Sequence, residues 1–167
     1  MKVKYHLNLK KKRIFFRADG DHGKLHGLGH INRILKLYDG LKKKHKLIFN
    51  FYFITKKNTL GHKIIKSRTN EKIFFLKKLS EKNFFRKNDV VIIDTLGAEK
   101  VFLSNLKISG VTKVISFEEL NSNFYNYGLI INGIYFARKK LRSKNNTIYQ
   151  SIKYIFLDER FENKRKL

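Results

Sequence analysis

The sequence contains no cysteine, no proline and no tryptophan, and only 13 of its 167 residues are acidic. Without cysteine there is no disulfide framework, no thiolate metal site and no cysteine nucleophile, and a reducing, cytoplasmic setting is expected. Without proline the strongest punctuation of elements and domains is missing, so boundaries rest on hydrophobic periodicity and on glycine. No apolar run approaches the roughly 18 residues of a membrane-spanning helix, so no membrane insertion is expected. The opening stretch MKVKYHLNLKKK lacks the apolar block of a secretory signal. Negative charge is the scarcest commodity: 38 Lys and Arg leave a formal charge of +25.

What is present excludes a disordered polybasic chain. Apolar types make up 42% and aromatics 14% of the residues, ample for a buried core. The length suits one domain, since domains cluster near about 100–150 residues. The charge is uneven, net +20 over residues 1–88 and net +5 over residues 89–167. Such a field could serve a polyanion, so a basic, non-catalytic binding module for nucleic acid or an anionic glycan is the alternative function. Composition gives the plainer account. Lys, Ile, Phe, Asn and Tyr, which share A/T-rich codons, supply 85 residues, and the Asn excess has no electrostatic purpose. Nucleic acid is therefore not the expected partner.

Short apolar, β-branched or aromatic runs recur at 13–17, 47–55, 73–76, 89–94, 112–117, 128–132 and 153–157. They read as continuous runs and not as in–out alternation, the pattern of strands covered on both faces. Helical patterns lie between them, at about 29–44, 58–68, 80–87 and 99–109. The first carries Ile31, Ile34, Leu35, Tyr38 and Leu41 on one stripe, and the last points Phe102, Leu103 and Leu106 inward. Strands alternating with helices predict an α/β fold, a Rossmann-like, doubly wound and mostly parallel sheet of about seven strands. Residues 1–12 are expected to be a basic extension, 13–158 the domain, and 159–167 a charged tail or the start of a linker.

The chemistry concentrates after the first strand, where Phe16-Arg17-Ala18-Asp19-Gly20 leads through a polar loop to Gly27-Leu28-Gly29-His30-Ile31-Asn32-Arg33. In a parallel α/β sheet this loop lies at the carboxyl edge, and the helix behind it offers unpaired N–H groups and a positive dipole. Glycines at 27 and 29 would let backbone approach a phosphate or a sugar. The pattern is neither the dinucleotide fingerprint, because Asn32 stands where a third glycine belongs, nor a Walker loop. His30 at the helix start is the candidate base, since the dipole disfavours imidazolium there. Arg33, one turn on, could meet an anion or bond the loop. His22 and His26 fall in the same loop, but the glycines around them oppose a helical ligand face and no metal is expected. Asp94 and Asn132 end strands at the carboxyl edge and are candidate ligand contacts, as is the acidic pair Glu118 and Glu119 to a lesser degree.

The string FRADG…GLGHINR, with the strand FYFITKK that follows, resembles the nucleotide-sugar hydrolases of pseudaminic acid biosynthesis (PseG) and the related spore-coat polysaccharide (SpsG-like) family. The shared motif is Arg-x-Asp…Gly-x-Gly-His-x-x-Arg, and the similarity continues through VVIIDTLGAE, VISFEEL, LIING and YIFLDERF, covering about 13–161. The resemblance implies the amino-terminal half of a GT-B architecture, in which two Rossmann-like domains flank a cleft. It implies hydrolysis of a UDP-sugar by water attacking the anomeric carbon, with no cofactor and no metal. His30 would activate that water, Gly27 and Gly29 would lie against the diphosphate, and Arg17, Asp19 and Gly20 would shape the sugar side. Two departures stand out. Asp94-Thr95-Leu96-Gly97 replaces the hydrolases' Asp-His-Tyr-Gly, which points toward the SpsG-like branch. The nucleotide-binding half of the architecture has no counterpart in the sequence, so a separately encoded carboxyl-terminal half is an expected partner.

Overall fold

The computed structural model describes residues 11–21, 27–76, 84–95, 100–117, 128–132 and 147–150. Seven strands are formed by Lys12–Ala18 (β1), Phe49–Thr55 (β2), Lys72–Phe75 (β3), Val90–Asp94 (β4), Lys113–Phe117 (β5), Leu129–Asn132 (β6) and Thr147–Gln150 (β7). Three helices are formed by Gly29–His45 (α1), Leu60–Arg68 (α2) and Lys100–Ile108 (α3). Every strand pairing is parallel, in the order β3-β2-β1-β4-β5-β6-β7. The chain therefore builds outward from β1 through β2 to β3, returns to the other edge of β1 with β4, and continues to β7. The reversal falls between β1 and β4. Connections leaving those two strands part to opposite faces, which opens a crevice at their carboxyl ends.

Strand alternation sorts the core into two layers. Ile14, Phe16 and Ala18 of β1 face α1, where they pack with Ile31, Ile34, Leu35, Tyr38, Phe51, Phe53 and Ile92. Phe15 faces the other side, with Val91, Ile93, Phe102, Leu106 and Val114. The stripe read from the sequence of α1 is the one that is buried. Rings carry much of the packing: Phe15 stacks on Tyr52 at 5.0 Å and meets Phe85 edge-on at 5.3 Å, while Phe16 stacks on Phe53 at 5.3 Å. Both faces are covered, which is why the strands read as unbroken apolar runs.

Two expected elements differ. The pattern at 80–87 does not continue as a helix, because Phe84–Asn88 form bends and turns. Phe85 is drawn into the core against Phe15 and Phe102, and the Asp89 carboxylate accepts the Arg86 N–H at 2.7 Å, closing a turn where a helix would run on. Arg13 then clamps Asp89 through two bonds of 2.8 and 2.5 Å. The seventh place in the sheet is taken by 147–150, a stretch not read as a strand; residues 153–157, the expected strand, lie outside the described residues. A polar, Asn-rich approach to Thr147 hides a four-residue edge strand from any periodicity argument.

Gly20 and Gly61 bring the loop after β1 against the start of α2. The Gly61 N–H donates to the Gly20 carbonyl at 2.8 Å, and a Cβ at Gly61 would stand 2.8 Å from the Gly20 nitrogen and 2.9 Å from Ile31 Cδ1. Backbone cannot yield as a side-chain tip can. Gly61→Ala is expected to cost roughly 1–3 kcal/mol, a fall in Tm of several degrees by thermal denaturation. An unchanged Tm would contradict the close approach.

Candidate functional site

The site grows from the first residues of α1. Leu28 precedes the helix without a capping side chain, and no acidic residue of the helix itself occupies its first turn. Among the described residues neither Gly27 nor Gly29 has a positive φ, and a Cβ at either would meet nothing within 4 Å. Packing among the described residues therefore does not demand glycine at these positions. Both are exposed, on the side of the sheet's carboxyl edge.

One turn inside, α1 presents His30 and Arg33 to the end of β4. Asp94 closes β4 in register with Ala18 and points to the α1 face, as Ile92 does two residues earlier. Its carboxylate is fully buried, and three bonds satisfy it. His30 Nδ1 lies 2.7 Å from Oδ1, Arg33 Nε donates to Oδ2 at 2.6 Å, and Arg33 Nη2 donates to Oδ1 at 2.8 Å. A bidentate guanidinium is the geometry that holds a carboxylate ionised and fixed. An ionised carboxylate only accepts, so the proton of a neutral imidazole sits on Nδ1 and the lone pair on Nε2. Arg33 is itself held from the other side, with its Cζ 5.8 Å from the centre of the Phe117 ring at the end of β5. The residues come from three elements, α1, β4 and β5, and converge at the reversal of strand order.

Arg17 and Asp19 form a second unit. Arg17 lies in register between Ile54 and Ile93, on the sheet face opposite Ala18 and Asp94, and is 1% exposed. Its Nη2 donates to Asp19 Oδ2 at 2.5 Å, and Asp19 Oδ1 accepts the Lys56 N–H at 2.9 Å and the Thr55 hydroxyl at 3.3 Å. Burial alone would raise the Asp19 carboxyl. The Arg17 hydrogen bond and charge, with the Lys56 N–H and ammonium, outweigh it and hold the group below the ordinary aspartate value. The pair thus ties the carboxyl ends of β1 and β2 together.

Of the residues singled out from sequence, the structure joins His30, Arg33 and Asp94 directly, and sets Gly27 and Gly29 beside them. Arg17 and Asp19 pair with each other beneath that group, Gly20 is a packing contact, and Asn132 is buried at the end of β6. His22, His26, Leu96, Gly97, Glu118 and Glu119 lie outside the described residues. Among the described residues no cluster of three His, Asp or Glu side chains could hold a metal ion. Sequence reasoning missed Phe117 as the platform under Arg33, and the buried hydroxyls of Thr95 and Ser116, which have no hydrogen-bond partner among the described residues. Nothing in a strand-end Phe or Ser distinguishes such roles before the register is known.

A seven-stranded parallel sheet reversed at β1 and β4, with its polar cluster at that reversal, defines a Rossmann-like α/β domain of the GT-B type. In agreement, the crystal structure of MurG from Acinetobacter baumannii superposes with a TM-score of 0.51 at 11% identity, over 81% of this chain and 44% of that one. The chain is similar to SpsG over most of its own length. It is 31% identical over 157 residues to the spore coat polysaccharide biosynthesis protein SpsG of Bacillus subtilis (strain 168), the aligned region being 89% of this chain and 44% of that protein. It is also 32% identical over 152 residues to an uncharacterized protein of Methanocaldococcus jannaschii, across 84% of this chain and 30% of that protein. No family model matches. The chain spans less than half the length of each of these relatives. Among the described residues no helix is long and apolar enough to cross a membrane.

Proposed function

We propose that the chain is the catalytic, amino-terminal half of a UDP-sugar hydrolase or glycosyltransferase-like enzyme of surface-glycan synthesis. The observation that carries this reading is the Asp94–His30 contact of 2.7 Å at the reversal of strand order, with Asp94 locked by Arg33. Homology to a polysaccharide biosynthesis protein and the GT-B fold favour the substrate class. In the proposed step, water attacks the anomeric carbon and gives its proton to His30 Nε2. The bond from that carbon to the diphosphate oxygen breaks, and UDP leaves with the electron pair. Asp94 stabilises the imidazolium that forms, and the start of α1 at Gly27–Gly29 offers N–H groups to the charge developing on the leaving oxygen.

The nucleotide would be held by a second domain of the kind that completes a GT-B architecture. The test is release of UDP from UDP-sugars by the 167-residue chain, alone and with a candidate carboxyl-terminal partner added. Turnover that rises on addition of the partner is the expected result. No turnover under either condition, with a partner shown to bind, would overturn the reading.

A further inference from the structure

The edge of the sheet opposite the site carries a feature that the enzymatic reading leaves unused. Helices α1 and α3 run back to the amino-terminal ends of the strands, and both end there in exposed aliphatic side chains. Leu47 and Ile48, between α1 and β2, are 79% and 53% exposed, and Ile108, the last residue of α3, is 83% exposed. They account for three of the six large hydrophobic residues exposed among the described residues. The turn that presents Leu47 and Ile48 is built to hold them out. Ile48 N–H bonds the His45 carbonyl at 3.0 Å, and its own carbonyl accepts the Lys12 N–H at 3.0 Å, so the backbone is anchored while the side chains face solvent.

Cations surround these positions. Lys11, Lys12, Lys43, Lys44 and Lys46 are exposed around the turn, and Lys11 Nζ donates to the Lys46 carbonyl at 3.2 Å. Lys107 immediately precedes Ile108, Lys113 opens β5 at the same end of the sheet, and Arg86 and Lys87 precede β4, which lies between β1 and β5; all four are exposed. The carboxylates nearby are already engaged: Arg13 holds Asp89, and Lys42 and Tyr38 hold Glu71 at 2.9 and 2.8 Å. Cations at helix carboxyl ends also complement the dipole, which accounts for Lys42–Lys44 and Lys107. That argument does not reach the exposed aliphatic residues, nor Lys11, Lys12, Arg86 or Lys113.

We propose that this amino-terminal edge docks the protein peripherally on an anionic lipid bilayer, with Leu47, Ile48 and Ile108 entering the interface and the surrounding lysines and arginines facing headgroups. Apolar tips ringed by cations are what an interfacial anchor requires, and a nucleic acid would give the aliphatic tips nothing to contact. The orientation follows from the fold. With this edge on the membrane, the His30 crevice at the opposite edge faces the aqueous side, where a soluble nucleotide sugar would arrive.

The experiment is co-sedimentation of the full chain with phosphatidylcholine vesicles, with and without added phosphatidylglycerol, and with single-stranded RNA as the competing polyanion. Binding to the anionic vesicles and not to neutral ones is expected. Each of Lys44→Ala and Lys46→Ala should weaken it about fivefold. Leu47→Ser combined with Ile48→Ser should weaken vesicle binding about tenfold while leaving any RNA binding and the Tm unchanged. Absence of binding to anionic vesicles would overturn the proposal. So would vesicle binding that the serine pair leaves intact, which would mark the edge as a plain polycation.

Discussion

Replacing His30 by Ala is expected to lower UDP release by about 10²–10⁴-fold in whichever assembly turns over, the chain alone or with a second half. The expectation follows from the geometry around Asp94. A base is useful only if its lone pair is presented and its proton is parked elsewhere. Asp94, ionised and pinned by Arg33 at 2.6 and 2.8 Å, claims the Nδ1 proton and leaves Nε2 as the accepting nitrogen. The alanine variant removes one of three bonds to the buried Asp94 carboxylate while Arg33 keeps the other two, so it should stay folded with a Tm lower by a few degrees. Added imidazole should restore part of the rate, because the variant lacks a base and not a scaffold. Retained turnover in His30→Ala would remove the assignment outright.

Asp94→Asn separates orientation from chemistry. The amide keeps the shape but carries no charge, so it can no longer hold Arg33 as an ion pair or stabilise an imidazolium at His30. Turnover should fall toward that of His30→Ala, and the double variant should be little worse than either single one, since the two residues act as one unit. Effects that multiplied in the double variant would mean that Asp94 acts on substrate independently. If the proposed mechanism holds, Arg33, bonded to Asp94 and set over Phe117, would act as a positioning residue through Asp94.

How much of this was legible in the sequence depends on whether the signal was local. The α1 stripe, the glycine-flanked His30 and the unbroken apolar strands are local patterns, and the structure reproduces them within a residue or two. Arg33 and Asp94 were legible as polar residues at the carboxyl edge but not as partners. They are 61 residues apart, and only the return of β4 to the free edge of β1 brings them together. The helix expected at 80–87 does not run through 84–87, where two adjacent aromatics, Phe84 and Phe85, pack on the core from a turn capped by Asp89; residues 80–83 lie outside the described residues. Periodicity cannot weigh that tertiary gain. β7 escaped because an edge strand of four residues carries no period of its own.

Removing the Asp19 carboxylate is expected to produce a large loss of stability. Asp19→Ala leaves the Arg17 guanidinium, 1% exposed between Ile54 and Ile93, without its ionic partner, and also strips the acceptor from the Lys56 N–H and the Thr55 hydroxyl. Breaking a buried pair from one side costs about 3–5 kcal/mol, which for a chain of this size is a fall in Tm of roughly 6–20 °C. Replacing both residues, Arg17→Leu with Asp19→Leu, should recover much of that loss, because no buried charge is then stranded; the orphaned Lys56 N–H keeps the recovery partial. The pair also sets a pH dependence. The folded-state carboxyl titrates below the unfolded one, near 3.9, so its contribution is complete above that value and is lost as pH falls through the lower, folded pKa. Acid denaturation of the native chain should therefore steepen below about pH 4, and Asp19→Asn should flatten that limb while lowering stability at neutral pH. A double variant as unstable as Asp19→Ala, or an acid limb that Asp19→Asn leaves unchanged, would show that Arg17 and Asp19 are not the unit joining the carboxyl ends of β1 and β2.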